Sequence, residues 1–285
     1  MKLLVIGHSV EDHIISDEKE IIKAGGIYYT AAALTTIASN DKIYLCTFIE
    51  KENYYLFSEV YNKCVRDFIK YTDFIPKVSL TIHGGKERDE RYNRVVRNLE
   101  IPFERLKEFD GILINMVTGF DIDLDMLKKI RENFGGLIYM DVHTLSRGLG
   151  HHGDRDFKKI EHFDEWAACL DIIQANENEA KTLTEFDNEE EIARTILKGG
   201  TKQLIITKGK AGAKVYYLQN GELNFIFQSA LKIEAENHIG LGDIFEAAYF
   251  YNYIKTGGLY SALNIAVTAS GLAAGHDGIT KLKSL

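Results

Sequence analysis

From residue 111 to residue 207, short apolar runs alternate with helix-like stretches, and this alternation admits few folds. The runs at 111–115, 137–141, 172–175 and 203–207 are four or five residues long and mostly apolar, as in strands buried on both faces. Helical patterns separate them at 124–133, 156–170, 177–184 and 189–197, the last with Asp187 or Asn188 as its cap. Repeated strand–helix units build a mostly parallel sheet covered on both faces. Upstream, 3–6 and 42–48 read as further buried strands and 31–38 as a helix, with 56–69 helical as well. Downstream, 213–218 and 223–229 read as a hairpin around Asn220-Gly221, and long helices start at Asp243 and at Leu259. The segments 78–83 and 91–97 flank Gly84-Gly85 and are polar on one face, which predicts an exposed hairpin.

At 285 residues, with two prolines and no Ser/Gly-rich linker, one α/β unit over 1–285 accounts for the chain. Its 34 basic and 42 acidic residues give a net charge of −8, which disfavours nucleic acid and anionic membranes as partners. Three widely spaced cysteines, Cys46, Cys64 and Cys169, match neither a disulfide framework nor a zinc knuckle. The apolar run after Met1 is short for a signal peptide, and no stretch reaches membrane-span length. A reduced cytoplasmic protein is expected.

Ligands of such sheets bind at the carboxyl ends of the strands. Several polar or glycine residues are expected there: Asp12, Gly25-Gly26, Asp141, Asn176 and Glu179, and Thr207-Lys208-Gly209 with Gly212. The most informative is the turn Gly240-Leu241-Gly242-Asp243 at the start of a long helix. A helix N-terminus offers unpaired N–H groups and partial positive charge to an anion, and glycine allows close approach. The carboxylate beside it can take a proton from an attacking hydroxyl. No G-x-x-x-x-G-K-[ST] occurs, and the 240–242 turn lacks the third glycine of a dinucleotide site. His143, His151, His152, Asp154 and Asp156 match no recognised ligand spacing and read as an exposed loop. The run Glu189-Glu190-Glu191 reads as a solvated first helical turn.

Together and in this order, these elements resemble the PfkB-type carbohydrate kinases, the ribokinase-like family. The C-terminal signature D-T-x-G-A-G-D is matched by Gly240-Leu241-Gly242-Asp243, N-x-x-E by Asn176 to Glu179, and T-x-G-x-x-G by Thr207 to Gly212. Gly7 with Asp12, and Gly25-Gly26, match the N-terminal substrate elements. The resemblance implies a three-layer α/β/α fold with a mostly parallel central sheet and a small β lid, here near 12–24 and 77–98. It implies transfer of phosphate from ATP to a hydroxyl of a small sugar, inositol-like polyol or nucleoside. Asp243 would be the base, with Gly240, Leu241 and Gly242 completing the anion hole. Asn176, Glu179, Thr207, Lys208, Gly209 and Gly212 would serve the nucleotide, with Glu179 holding Mg²⁺ through water. Asp12, Gly25, Gly26 and Thr30 would hold the acceptor, and the lid would form a homodimer contact. Three positions depart from the pattern: Asn237 and His238 replace the signature's Asp and Thr, and Thr30 replaces an Asn. Asn237 argues against the K⁺ dependence of many members. The departures leave a non-catalytic relative, binding a metabolite or protein, as the alternative.

Overall fold

A computed structural model describes residues 1–16, 19–81, 89–96, 98–150, 152–233, 239–275 and 278–285. Gly84-Gly85, His151, Asn237 and His238 lie outside them. The chain runs β1 (Lys2–Ile6), β2 (Ser9–Ser16), β3 (Lys19–Gly26), α1 (Tyr28–Ile37), β4 (Lys42–Glu50), α2 (Tyr54–Tyr61), β5 (Ile69–Thr72), β6 (Lys77–Thr81) and β7 (Asp89–Arg94). It continues through β8 (Gly111–Asn115), α3 (Leu124–Asn133), β9 (Leu137–Asp141), α4 (Phe163–Ala168), β10 (Ile172–Asn176), α5 (Glu177–Ala180), α6 (Glu189–Lys198) and β11 (Gln203–Thr207). The hairpin β12 (Gly212–Gln219) and β13 (Glu222–Ser229) precedes α7 (Leu241–Thr256) and α8 (Leu259–Ala274).

Two sheets form among the described residues. The larger has the order β13-β12-β11-β10-β9-β8-β1-β4-β5, parallel from β11 to β5, with β12 and β13 added antiparallel at one edge. Its central strands are buried along nearly their whole length, so each is apolar on both faces. Truncating one such side chain, Leu4 or Leu45 for example, costs roughly 2–5 kcal/mol.

Handedness assigns the layers. The connections β8–α3–β9, β9–α4–β10 and β10–α6–β11 all step one way along the sheet, whereas β1–α1–β4 steps the other way. Right-handed crossovers therefore place α3, α4 and α6 on one face and α1 on the opposite face. Helices α7 and α8 pack on each other, and α7 packs on α1, which completes that second layer. Strand order reverses between β1 and β8, and a crevice opens at such a switch point, at the strands' carboxyl ends.

The second sheet, of order β3-β2-β6-β7, covers that crevice with Val10, Val78, Leu80 and Tyr92, all buried. Its strands lie at 9–16, 19–26, 77–81 and 89–94, slightly offset from the expected lid segments, and β2 and β3 carry no clear alternation of polar and apolar residues.

Three helices are shorter than expected, and the 177–184 pattern ends at Ala180. The 56–69 pattern ends at Tyr61. Its later apolar residues pair with β4 instead: the Val65 and Phe68 carbonyls accept from the Leu45 and Thr47 amides, and Ile69 opens β5. In 156–170 only Phe163–Ala168 is helical; Lys158 and Ile160 donate to the Ser146 and Thr182 carbonyls in an extended path. The hairpin turn has Asn220 and Gly221 both at positive φ, 53° and 81°, as a two-residue turn of this twist requires.

Candidate active site

The anion-binding turn forms as the glycines require. Gly240, the residue before α7, has φ +75°. A Cβ there would meet the Tyr29 ring at 2.4 Å, so side chain and backbone both demand glycine. A Cβ at Gly242 would meet no atom of the described residues within 4 Å, which leaves that side of the turn open among them. The turn is braced from two sides. Ser270 of α8 donates to the Leu241 carbonyl at 3.1 Å, and Gln174 of β10 reaches the Gly242 carbonyl at 3.5 Å.

Asp243 points into a cavity at the switch point. The same cavity is lined by Asp12, Gly26, Tyr29, Tyr92, His143 and Gly240, with Val10, Val78, Leu80 and Val117 as apolar walls. Thus the N-terminal acid and the C-terminal turn, far apart in sequence, share one space. Asp12 lies 7 % exposed on β2, and its carboxylate occupies the place where a Cβ of Gly25 would fall. Gly26, at φ +63°, lets the chain pass under the His8 carbonyl into α1. Thr30 does not line the cavity. It is fully buried beneath it and donates to Glu246 Oε1 at 2.6 Å.

The carboxylates crowd along the rim. Asp141 ends β9 and accepts from Gln174 Nε2 at 2.9 Å; Gln174 is itself held by the Tyr139 hydroxyl at 2.6 Å. Burial first, and then the nearby Glu179 carboxylate, push Asp141 up to about 7. Asn176 and Glu179 close a reciprocal cap on α5. The Asn176 side chain accepts from the Glu179 amide at 2.9 Å, and Glu179 Oε2 accepts from the Asn176 amide at 2.8 Å. Glu179 Oε1 lies 3.9 Å from His143 Nδ1. Oxygen donors of this kind suit Mg²⁺. Positive charge here would offset part of what raises Asp141.

Thr207 ends β11 beside Asn176. Lys208 sits between two acids, 3.0 Å from Glu177 Oε1 and in contact with Glu189, so its charge is already matched. Gly209 has φ +50°. Gly212, at φ +122°, is required by the hairpin, since a Cβ there would collide with the Gln228 carbonyl at 2.0 Å. Glu189 also meets Lys214 at 2.8 Å, so this part of the acidic first turn is an ion-pair anchor rather than a solvated face.

Residues that sequence reasoning passed over stand close to the chemistry. His143 was read only as part of an exposed histidine loop. It follows β9 in a left-handed conformation, φ +32°, and lines the cavity. Asn115 ends β8 and donates from Nδ2 to Asp243 Oδ1 at 2.7 Å. Its place at the carboxyl end of a central strand was the available signal. Among the described residues no trio of His, Cys, Asp or Glu is arranged to hold a metal by itself, and no helix is long and apolar enough to cross a membrane.

Comparison with known proteins bears on the fold and on the C-terminal sequence. A pyrophosphate-dependent kinase of the ribokinase family, in its sulfate complex, superposes with a TM-score of 0.80 at 18% identity, over 98% of this chain and 96% of that one. The ribokinase of Arabidopsis thaliana, complexed with ribose and ATP, gives 0.76 at 16% identity, over 100% and 98%. The chain has the ribokinase-like fold. Residues 154–284 match the family model described as pfkB family carbohydrate kinase. An ATP-dependent 6-phosphofructokinase of Thermoanaerobacterium thermosaccharolyticum is 30% identical over 130 residues. That match covers 46% of this chain and 37% of the enzyme's own length. The C-terminal stretch carrying the Gly240 turn is thus PfkB-like in sequence, while for the N-terminal part the likeness is one of fold alone.

Proposed function

We propose that this ribokinase-like chain is a phosphotransferase that moves the terminal phosphoryl group of ATP to a hydroxyl of a small sugar, inositol-like polyol or nucleoside. The observation that carries the reading is the shared cavity. Asp12 on one wall and Asp243 on another line the same space, at the glycine-bounded N-terminus of α7.

Each residue then has a role. Asp12 accepts a hydrogen bond from an acceptor hydroxyl and orients the molecule against Gly25 and Gly26. Asp243, on the cavity wall, takes the proton of the attacking hydroxyl as its oxygen bonds the γ-phosphorus and the bond to the leaving ADP breaks. Phosphoryl transfer has a loose transition state, so positioning and charge balance supply most of the catalysis. The amides at the start of α7 face the transferring group and stabilise its oxygens without reorganisation. Mg²⁺, when bound, would supply positive charge against the phosphates. Glu179 would hold it through water, supported by Asn176. The segment from Thr207 to Gly212 would face the nucleotide. The second sheet would act as a lid over the acceptor and keep water from the phosphoryl group.

One observation favours a second donor. A pyrophosphate-dependent kinase is among the similar structures, so inorganic pyrophosphate belongs in the same test. Purified protein with Mg²⁺ and either ATP or pyrophosphate would be offered ribose, fructose 6-phosphate, myo-inositol and adenosine. Phosphorylated acceptor would be detected by ³¹P NMR. Turnover of at least one pair is expected, and its abolition in Asp243→Asn. If no pair reacts and no donor raises the melting temperature, the non-catalytic reading replaces this one.

A further inference from the structure

Directly below Asp243 lies a buried carboxylate that the proposed reaction does not use. Glu246 is on the same face of α7, one turn on, and is fully buried. Its Oε1 accepts two hydrogen bonds, from the Thr30 hydroxyl at 2.6 Å and from Asn115 Nδ2 at 2.8 Å. Its Oε2 is buried and has no hydrogen-bond partner among the described residues. Asn115 Nδ2 carries only two hydrogens. Its two near acceptors are Glu246 Oε1 and Asp243 Oδ1, the latter at 2.7 Å, with the Thr30 hydroxyl farther off at 3.5 Å.

We propose that Glu246 is a positioning residue for the phosphoryl transfer: through the shared Asn115 amide it fixes the rotamer of Asp243 against the acceptor cavity. This rests on Asp243 being the base. An asparagine amide can turn by 180° and exchange its donor for its acceptor. Turned that way, Asn115 would aim its oxygen at two carboxylic groups at once. With both hydrogens engaged, the amide has one orientation, and Asp243 receives a donor at a fixed point on β8. Thr30 ties the same carboxyl to α1, so three elements, α1, β8 and α7, meet at one oxygen.

The arrangement needs Glu246 as a neutral acid, with its proton on Oε2. The groups facing it include Asp141 and Tyr139 from β9 and Asp243 from its own helix, and none of these is a cation. Burial, followed by the charges of Asp141 and Asp243, holds Glu246 well above the usual carboxylate range. A neutral glutamic acid differs from glutamine by little more than the atom at Oε2. Glu246→Gln keeps the oxygen that binds Thr30 and Asn115, and Glu246→Leu removes it.

Steady-state kinetics of wild type, Glu246→Gln, Glu246→Leu and Asn115→Ala test the role, using the donor–acceptor pair that the wild type turns over. Glu246→Gln is expected to keep kcat within about threefold and to leave the acid limb of the pH profile unmoved. Glu246→Leu is expected to lower kcat by at least tenfold, with the acceptor KM changed by less than about threefold. Adding Asn115→Ala should then lower it little further, because both changes break one chain of contacts. Wild-type kcat in Glu246→Leu overturns the proposal. So does an equal loss in Glu246→Gln, or a rise confined to KM. If Glu246→Leu does not fold by circular dichroism, the acid limb of Glu246→Gln decides alone: unmoved supports the role, and a shift of half a unit or more rejects it. Absence of wild-type turnover would instead sink the kinase reading, so the two failures are distinguishable.

Discussion

At the scale of single residues, carboxylates dominate the site, and their surroundings differ. Asp243 is hydrogen-bonded from β8 and borders the cavity. Asp243→Asn keeps the shape but loses the proton acceptor, and kcat should fall by about 10²–10⁴. ATP affinity by calorimetry should change less than about threefold; an equal loss of affinity would mean that the residue binds donor instead. Asp141 is held at about 7 by burial and then by Glu179, against an ordinary value of 3.8. A carboxyl whose folded value is raised stabilises the fold fully below its unfolded value. That contribution declines as pH rises from about 4 through about 7. Above that range the charged form opposes folding, by up to about 4 kcal/mol at roughly 1.4 kcal/mol per unit. Asp141→Asn should therefore raise the melting temperature at pH 8, measured in EDTA, and have little effect at pH 4. An equal gain at both values would show that the charge is not the cause.

At the scale of elements, two short devices place the polar groups. The Asn176–Glu179 cap starts α5 beneath the rim. Removing the cap with Asn176→Ala should cost about 1 kcal/mol in urea denaturation. A larger rise in the apparent Mg²⁺ requirement than in instability would support the proposed metal role of this pair. The Gly240 turn starts α7, and its left-handed backbone presses on Tyr29. Gly240→Ala should lower kcat by tenfold or more and destabilise the chain by at least about 1 kcal/mol. A fully active, stable variant would show that the turn need not be held in this form. The apolar face of 56–69 shows how an element can mislead: helical spacing continues past Tyr61, yet the residues pair with β4 as an extended edge.

At the scale of the whole molecule, the two sheets meet at a polar clamp. Glu11 on β2 is 4 % exposed and receives His13 Nε2 at 2.7 Å, Lys77 Nζ at 3.0 Å and the side-chain amide of Asn53. Asn53 belongs to the segment between β4 and α2, so the clamp ties the second sheet to the larger one. Glu11→Gln weakens every one of these bonds. Amide hydrogen exchange in β2 and β3 should accelerate, while β8 and β9 keep their protection. The acceptor KM should rise more than kcat falls, as expected if the second sheet holds the acceptor. Uniform acceleration across both sheets would show instead that the clamp supports global stability.

What the amino-acid order determined by itself was local: buried parallel strands, the Asn220-Gly221 turn, a cap at Asp187 or Asn188 (Asn188 in the structure) and the glycine-bounded start of α7. Each depends on side chains within a few positions of one another, so periodicity and turn chemistry reveal it. The extended run of β2 and β3 was hidden, because those strands are defined by partners in the second sheet rather than by alternation. The placement of Asn115, His143 and Glu246 was hidden too, and so was the role of Thr30 as a buried donor rather than a cavity wall. These four come from α1, β8, the turn after β9 and α7. Only the reversal of strand order, which folds distant ends of the chain onto one crevice, brings them within hydrogen-bond reach of the site or into its wall.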